Sequence, residues 1–477
     1  MSVTSYVFLL AFLPAVCIGW RLWAKVGENA PRIWLVAAGV VFCGWAAPLS
    51  LPVLAAEGTA TWLLGRAIGK EKTKRDKMRL TVGCVLVVGV LVLFKYTGFF
   101  LAPWTKGLPG WLTPLGLSFS SFLQLFWLRD RYCGEAEEVS PLDYACTLTF
   151  FATATCGPIL RMGEIVPQLR APAPFSWEQL SAGLYTFALG LGKKVLLAGM
   201  FAGGADHGYL FAGGLSSVDA ALTMLCYTLQ IYFDFSGYCD MAWGMGQMMG
   251  ITLPRNFDSP YRAVSIGDFW DRWHITLSRF FRACVYIPLG GNRRGMAVTC
   301  RNILIIYLIS GLWHGAGWGF ILWGLLHGGA MVVQRLFGEK ISLPKWLGWI
   351  VTFAFVNVAW VFFRAGSVGQ AIALLGDLAR GGFSLPAPGL IQSLPLEGMM
   401  QALVVVQNQI LVGGRLMTYW VPMLLFPAGL ALLRGKNPVR QGEDFTPSPR
   451  KAALAAVCII LSVLFLSGVD TFIYANF

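Results

Sequence analysis

Apolar positions run in blocks long enough to cross the roughly 30 Å hydrocarbon layer, which takes about 20 residues of helix. Such blocks fall near 5–23, 33–55, 80–102, 142–160, 178–201, 218–235, 303–323, 347–363, 417–433 and 452–470. Shorter or interrupted ones, near 113–128, 324–336 and 402–412, read as tilted, re-entrant or interfacial pieces. The pattern predicts an all-α polytopic membrane protein with about ten to thirteen membrane segments, because a lone strand cannot satisfy its backbone groups in lipid. The first block, "YVFLLAFLPAVCIGW", has no basic stretch before it and no small-residue cleavage site, so it reads as a retained helix.

Composition supports this: 56% of the 477 residues are hydrophobic and 13% are charged, about half the charged share of a soluble domain. The net charge of +13 raises the question of nucleic acid. The cations, however, cluster in short loops, "RAIGKEKTKRDKMR" (66–79), "RFFRACVYIPLGGNRRG" (279–295) and "RGKNPVRQGEDFTPSPRK" (434–451). Short basic loops mark the cytoplasmic face and attract anionic membrane lipid; with no soluble basic module, a nucleic-acid partner is not expected. The 11 cysteines are scattered without a CxxC pair, so no metal site is proposed. No repeat divides the chain, and one membrane domain is read over 1–477, with polar or irregular stretches at 437–450 and 381–398.

Ionisable groups at membrane depth cost roughly 2.5–3.5 kcal/mol each on insertion scales and so need a reason. Three places stand out. The stretch "IGDFWDRWHITLSRFFRACVYIPLGGNRRG" (266–295) reads as an amphipathic helix ending before Pro288, with Trp270, His274, Leu277 and Phe281 on one stripe. Asp268 and Arg272 are spaced to pair, and Asp271 is placed to fix the His274 tautomer; an interfacial helix with snorkelling arginines is the plainer alternative. Second, "SGLWHGAGWGFILWG" (310–324) sets His314 among Ser310, Gly311, Gly315 and Gly317, with Trp313, Trp318 and Trp323 as lining. Alone it reads as a tight helix contact. Two histidines on neighbouring elements favour a buried proton-transfer site instead, since imidazole gives and takes protons near neutral pH. Third, Asp234, Ser236 and Asp240 interrupt an apolar run. The glycines that follow, Gly244, Gly246 and Gly250, miss the dinucleotide spacing, and "LPRNFDSPY" (253–261) is a loop into the histidine helix. His327 reads as structural and His207 as an incidental loop residue. No G-x-S-x-G elbow is present. "PLGGNRRG" has the N–H groups and arginines to hold a phosphate, though an ordinary basic loop explains it as well.

Together, "DFWDRWHITLSRFFRACVYIPLGGNRRG" and "RNILIIYLISGLWHGAGWGFILWGLLHG" resemble the signature of the membrane-bound O-acyltransferase family, in its bacterial polysaccharide O-acetylation branch. "KYTGFF" (95–100), "LGLSFSSFLQLFWLRDRYCG" (115–134), "CGPILR" (156–161), "GLGKKVLLAG" (190–199) and "YFDFSGYCDMAWGMGQMMGITLPRNFDSPY" (232–261) extend it, so the motif-bearing core covers about 90–330. The chain departs from the family pattern at Gly199, at "RDRYCG" and in the final "FIYANF". The resemblance implies a ring of tilted and re-entrant helices around a central tunnel, with His314 and His274 catalytic. It also implies acetyl-CoA as donor, drawn in by Arg272, Arg279, Arg282, Arg293 and Arg294 beside Trp313 and Trp318, with Asp271 and Ser310 orienting. The expected setting is the bacterial inner membrane, with an SGNH-type acetyltransferase partner outside it modifying a polysaccharide or wall polymer. Two alternatives stay open: D-alanyl transfer from a carrier protein, and a polysaccharide transporter without enzymatic activity.

Overall fold

The computed structural model describes residues 1–69, 71–101, 114–136, 138–338, 343–410 and 416–466. "FIYANF" and the end of the 402–412 stretch lie outside these residues. Among the described residues the regular structure is entirely helical. Five helices are long and apolar enough to cross a membrane: Lys74–Thr97, Trp177–Leu210, Met296–His314, Trp318–Phe337 and Lys345–Arg364. Phe8–Trp23, Ala30–Trp45 and Met417–Leu433 are shorter apolar helices.

The elements that build the site are α1 (Lys74–Leu101), α2 (Leu117–Cys133), α3 (Trp177–Leu210) and α4 (Ser217–Met249), followed by the short α5 (Ile266–Arg272) and α6 (Ile275–Phe281). The hairpin α7 (Met296–His314) and α8 (Trp318–Phe337) comes next, then α9 (Lys345–Arg364), α10 (Leu425–Leu433) and α11 (Pro438–Glu443).

Helix α4 is the central member. Its 33 residues span about 50 Å at 1.5 Å per residue, and nearly every one from Cys226 to Met249 is buried. Helix α3 can lie this close because small residues meet: a Cβ on Gly237 would come within 2.7 Å of the Gly190 carbonyl oxygen. Gly244 packs on Gly183 in the same way, while Gly250 ends α4 in the left-handed conformation. The contact also carries charge. Lys193 donates to Asp240 at 2.6 Å, and Lys194 donates to Asp234. A π-helical turn over Lys193–Leu197 aims both consecutive lysines at α4. Both of these cations thus meet a carboxylate at depth, which explains why two aspartates interrupt the apolar run of α4.

Several expected elements differ. The 142–160 stretch is no single span: a capping box at Ser140 starts a helix at Pro141 that ends at Leu148, and Gly157 (φ +113°) with Pro158 keeps the following chain irregular. The 303–323 block is divided, because α7 ends at His314 and Gly315–Gly317 turns the chain into α8. His207 lies in the helical part of α3, not a loop. The 437–450 stretch holds the ordered helix α11 rather than a free linker.

Candidate active site

The 266–295 stretch is not one helix. It breaks at Trp273–His274, and His274 adopts the left-handed conformation with φ 47° and ψ 52°. For a non-glycine residue this costs about 1–3 kcal/mol, and it persists only where the surroundings over-determine it. Here the 253–261 loop does so. The N–H of Ile275 donates to the Asn256 carbonyl (3.0 Å), and that of Asp258 to the Arg272 carbonyl (2.9 Å), lacing the loop to both sides of the break. The Asn256 side chain completes the hold. Its Oδ1 accepts from the Thr276 N–H at 3.2 Å and from Thr276 Oγ1 at 2.8 Å, and lies 3.2 Å from His274 Nδ1.

That arrangement fixes a proton. A backbone N–H can only donate, so the Asn256 atom facing it is the carbonyl oxygen, and His274 must present Nδ1–H to it. Neutral His274 therefore carries a bare Nε2, which has no hydrogen-bond partner among the described residues. The orienting residue is Asn256, not Asp271, whose side chain is exposed. Nothing in "LPRNFDSPY" separates Asn256 from ordinary turn residues, so sequence reasoning missed it. The expected stripe of Trp270, His274, Leu277 and Phe281 is buried nonetheless, and the Asp268–Arg272 pair forms at 2.5 Å.

His314 ends α7. The hairpin brings it in because Gly311 and Gly324 let α7 and α8 touch backbone to backbone; a Cβ on Gly324 would stand 2.4 Å from the Tyr307 carbonyl oxygen. The last carbonyls of α7 lack intrahelical donors. Lys95 Nζ donates to that of Trp313 and Tyr96 to that of Leu312, so "KYTGFF" supplies a cationic cap where the helix dipole favours one.

Around His314 the walls are aromatic. Its ring centroid lies 4.7 Å from Trp313, 5.0 Å from Trp323 and 5.1 Å from Phe363. Trp313 also meets His274 edge-on at 6.3 Å, so one indole borders both imidazoles. His327 joins the same layer 4.9 Å from Trp323, and its Nδ1 accepts from Trp270 Nε1 at 3.2 Å. Its proton is then on Nε2, the opposite tautomer to His274. His274 and His327 are fully buried and His314 is 2% exposed. Aromatic walls of this kind keep bulk water from the imidazoles.

The other expected site residues scatter. Trp318 is 67% exposed at the start of α8 and does not line the histidines; Trp323, a turn and a half later, takes that place. Ser310 is buried and its Oγ has no hydrogen-bond partner among the described residues, so it orients no imidazole here. Arg272 is held by Asp268, and Arg279 by Glu164 at 2.5 and 3.0 Å. Arg282, Arg293 and Arg294 are exposed and form no ion pair among the described residues. In "PLGGNRRG" the N–H groups of Gly290, Gly291 and Arg293 already bond to the Ile287, Tyr286 and Gly290 carbonyls, which takes these three out of a phosphate cradle. Among the described residues no cluster of metal-ligating side chains occurs.

The model of the membrane-bound O-acyltransferase family matches residues 59–367. The chain belongs to that family. Membership makes it a multi-pass membrane O-acyltransferase and sets aside the reading as a transporter without enzymatic activity. The chain is 38% identical over 421 residues to a peptidoglycan O-acetyltransferase of Helicobacter pylori, covering 80% of each chain. It is 36% identical over 383 residues to a probable alginate O-acetylase, AlgI, of Pseudomonas aeruginosa, covering 76% of this chain and 72% of the relative. A teichoic acid D-alanyltransferase of Bacillus subtilis is 28% identical over 278 residues, covering 52% of this chain and 68% of the relative. His274 and His314 of this membrane-bound O-acyltransferase both fall within the matched stretch.

Proposed function

We propose that this O-acyltransferase takes an acetyl group from acetyl-CoA on the cytoplasmic side of the bacterial inner membrane and passes it outward for O-acetylation of a polysaccharide or peptidoglycan. The observation that carries the reading is the pair of buried imidazoles, His274 and His314, bordering one indole, with His274 Nε2 bare and fixed by Asn256. In the proposed step an imidazole takes the proton of an acceptor hydroxyl as its oxygen attacks the thioester carbonyl. The C–S bond breaks, and the CoA thiolate collects the proton from the imidazolium. If His314 carries the acetyl group first, its own nitrogen makes that attack, and the hydroxyl displaces the imidazole in a second step. His274 suits the proton-accepting part, because its donor nitrogen is already engaged.

The family's central tunnel would open to His314 from each face, and exposed Arg282, Arg293 and Arg294 suit the CoA phosphates better than the paired Arg272 and Arg279. An SGNH-type acetyltransferase outside the membrane would complete the transfer. Acetyl is favoured over D-alanyl because the acetylating relatives match at 36–38% over most of the chain, against 28% over about half. The test follows labelled acetyl and free CoA with purified protein in nanodiscs, acceptor and partner present. Wild type is expected to consume acetyl-CoA, and His314→Ala and His274→Ala each to lose at least about a hundredfold while melting like wild type. Turnover by folded His314→Ala at the wild-type rate overturns the assignment, and turnover only of a D-alanyl carrier overturns the donor.

A further inference from the structure

A cavity of about 450 Å³ opens where the beginning of α9 meets the end of α10, with no histidine in its lining. Its walls are apolar: Trp349 and Phe353, stacked at 5.6 Å and 14°, face Leu430 and Leu433, with Trp346 at the rim. The walls are built, not incidental. Trp349 Nε1 donates to the Tyr261 carbonyl at 2.8 Å, and α9 reaches this close because Gly348 packs on the Val264 carbonyl oxygen. The rim carries three cations, Arg262, Lys345 and Arg434, and none has a carboxylate partner among the described residues.

Some arginines of the chain are paired, Arg255 with Glu443, Arg440 with Asp258 and Arg364 with Asp206, while Arg282, Arg293 and Arg294 stand exposed and unpaired among the described residues. What sets Arg262, Lys345 and Arg434 apart is that they converge on one apolar hollow, which suits an anion that brings its own apolar part. Lys345 and Trp346 open an apolar helix and Arg434 closes another, which is where cations and tryptophans sit at the level of lipid headgroups. We infer that this cavity is a binding site for an anionic phospholipid, its phosphate between Arg262, Lys345 and Arg434 and one acyl chain along Trp349, Phe353 and Leu430. The basic 434–451 stretch puts this mouth in the cytoplasmic leaflet, where anionic lipid is concentrated.

The experiment is native mass spectrometry of the purified full chain with phosphatidylglycerol and phosphatidylcholine of the same acyl chains. Its variants are Arg262→Gln/Lys345→Gln/Arg434→Gln, Leu430→Trp to fill the apolar part, and Lys74→Gln/Arg75→Gln/Lys77→Gln as an equal loss of charge elsewhere. Wild type is expected to retain phosphatidylglycerol preferentially. The rim variant should bind it roughly a hundredfold more weakly, about fivefold per interfacial cation; the filled variant should lose the tight site, and the distant variant should keep it. Wild-type retention by the rim variant refutes the site. Displacement of phosphatidylglycerol by inorganic phosphate or CoA at similar concentration refutes the lipid, leaving a phosphate site. Because the readout is binding, it does not depend on the catalytic assignment of His314.

Discussion

Asn256→Ala tests the site at its most determined point. The substitution removes the oxygen that accepts from the Thr276 N–H and from His274 Nδ1. Two fixed buried donors lose their acceptor, at about 1–3 kcal/mol each, so stability should fall by roughly 2–6 kcal/mol. With that anchor gone, neither the tautomer nor the left-handed backbone of His274 is held. Acetyl transfer should then drop by at least about a hundredfold in kcat, the lower range for positioned acid–base groups, with little change in KM. Asn256→Asp keeps an acceptor for both donors. It should recover most of kcat although an added buried charge lowers stability further. Thr276→Val supplies the control: it strands the Ile159 N–H, which donates to Thr276 Oγ1 at 2.9 Å, yet leaves Asn256 on His274. Its melting temperature should fall while kcat stays within about tenfold of wild type. The assay is single-turnover transfer of labelled acetyl, beside thermal melting in the same detergent. A folded Asn256→Ala enzyme with wild-type kcat, or a Thr276→Val enzyme that loses as much, would show that Asn256 does not position His274.

Other parts of the fold make separate predictions. Lys193→Met strands the Asp240 carboxylate and should cost about 3–5 kcal/mol, whereas Lys193→Met/Asp240→Leu should cost well under the sum of the single changes; additive melting shifts would contradict the pairing. Gly324→Ala drives a methyl group against the Tyr307 carbonyl and should cost about 1–3 kcal/mol and lower kcat, while Gly329→Ala on the same helix, with open space around it, should do neither. Arg129 hydrogen-bonds Glu135 and, against some burial, holds its carboxyl below the ordinary 4.5. Its contribution to stability is present above that pH and fades as pH falls through the lowered value, so Glu135→Gln should flatten that part of the melting curve; an unchanged acid limb would argue against the ion pair.

The amino-acid pattern made His314 legible because a lone imidazole between tryptophan and glycine in an apolar run has few explanations. Burial of His274 was legible too, but by a route the structure does not follow. Helical spacing holds on both sides of Trp273–His274, and the break depends on a loop some 18 residues earlier in the chain. Asn256 was hidden for the same reason, since a polar residue among prolines gives no sign of being buried. The lysine–aspartate pairs had a usable signal: two cations in one apolar run and two carboxylates in another must meet or cost heavily. Trp318 was misplaced by sequence proximity, because the turn at Gly315–Gly317 ends the helix that would have carried it towards His314.

The loop that sets His274 is itself gripped from far along the chain. Asn437 donates to the Phe257 carbonyl at 3.0 Å, Arg255 pairs with Glu443, and Arg440 reaches Asp258, 182 residues away. At 5–20 residues per second, the ribosome needs roughly ten to forty seconds to supply that grip after the loop has been made. Until then the proposed acyl-transfer centre is part of a nascent chain with its histidine helix unclasped. A product cut short at residue 433 would carry His274, His314 and the whole motif-bearing core before 330, yet lack the clasp. Premature termination late in the message should therefore yield an inserted but inactive protein, with the last tenth of the chain as its final assembly step.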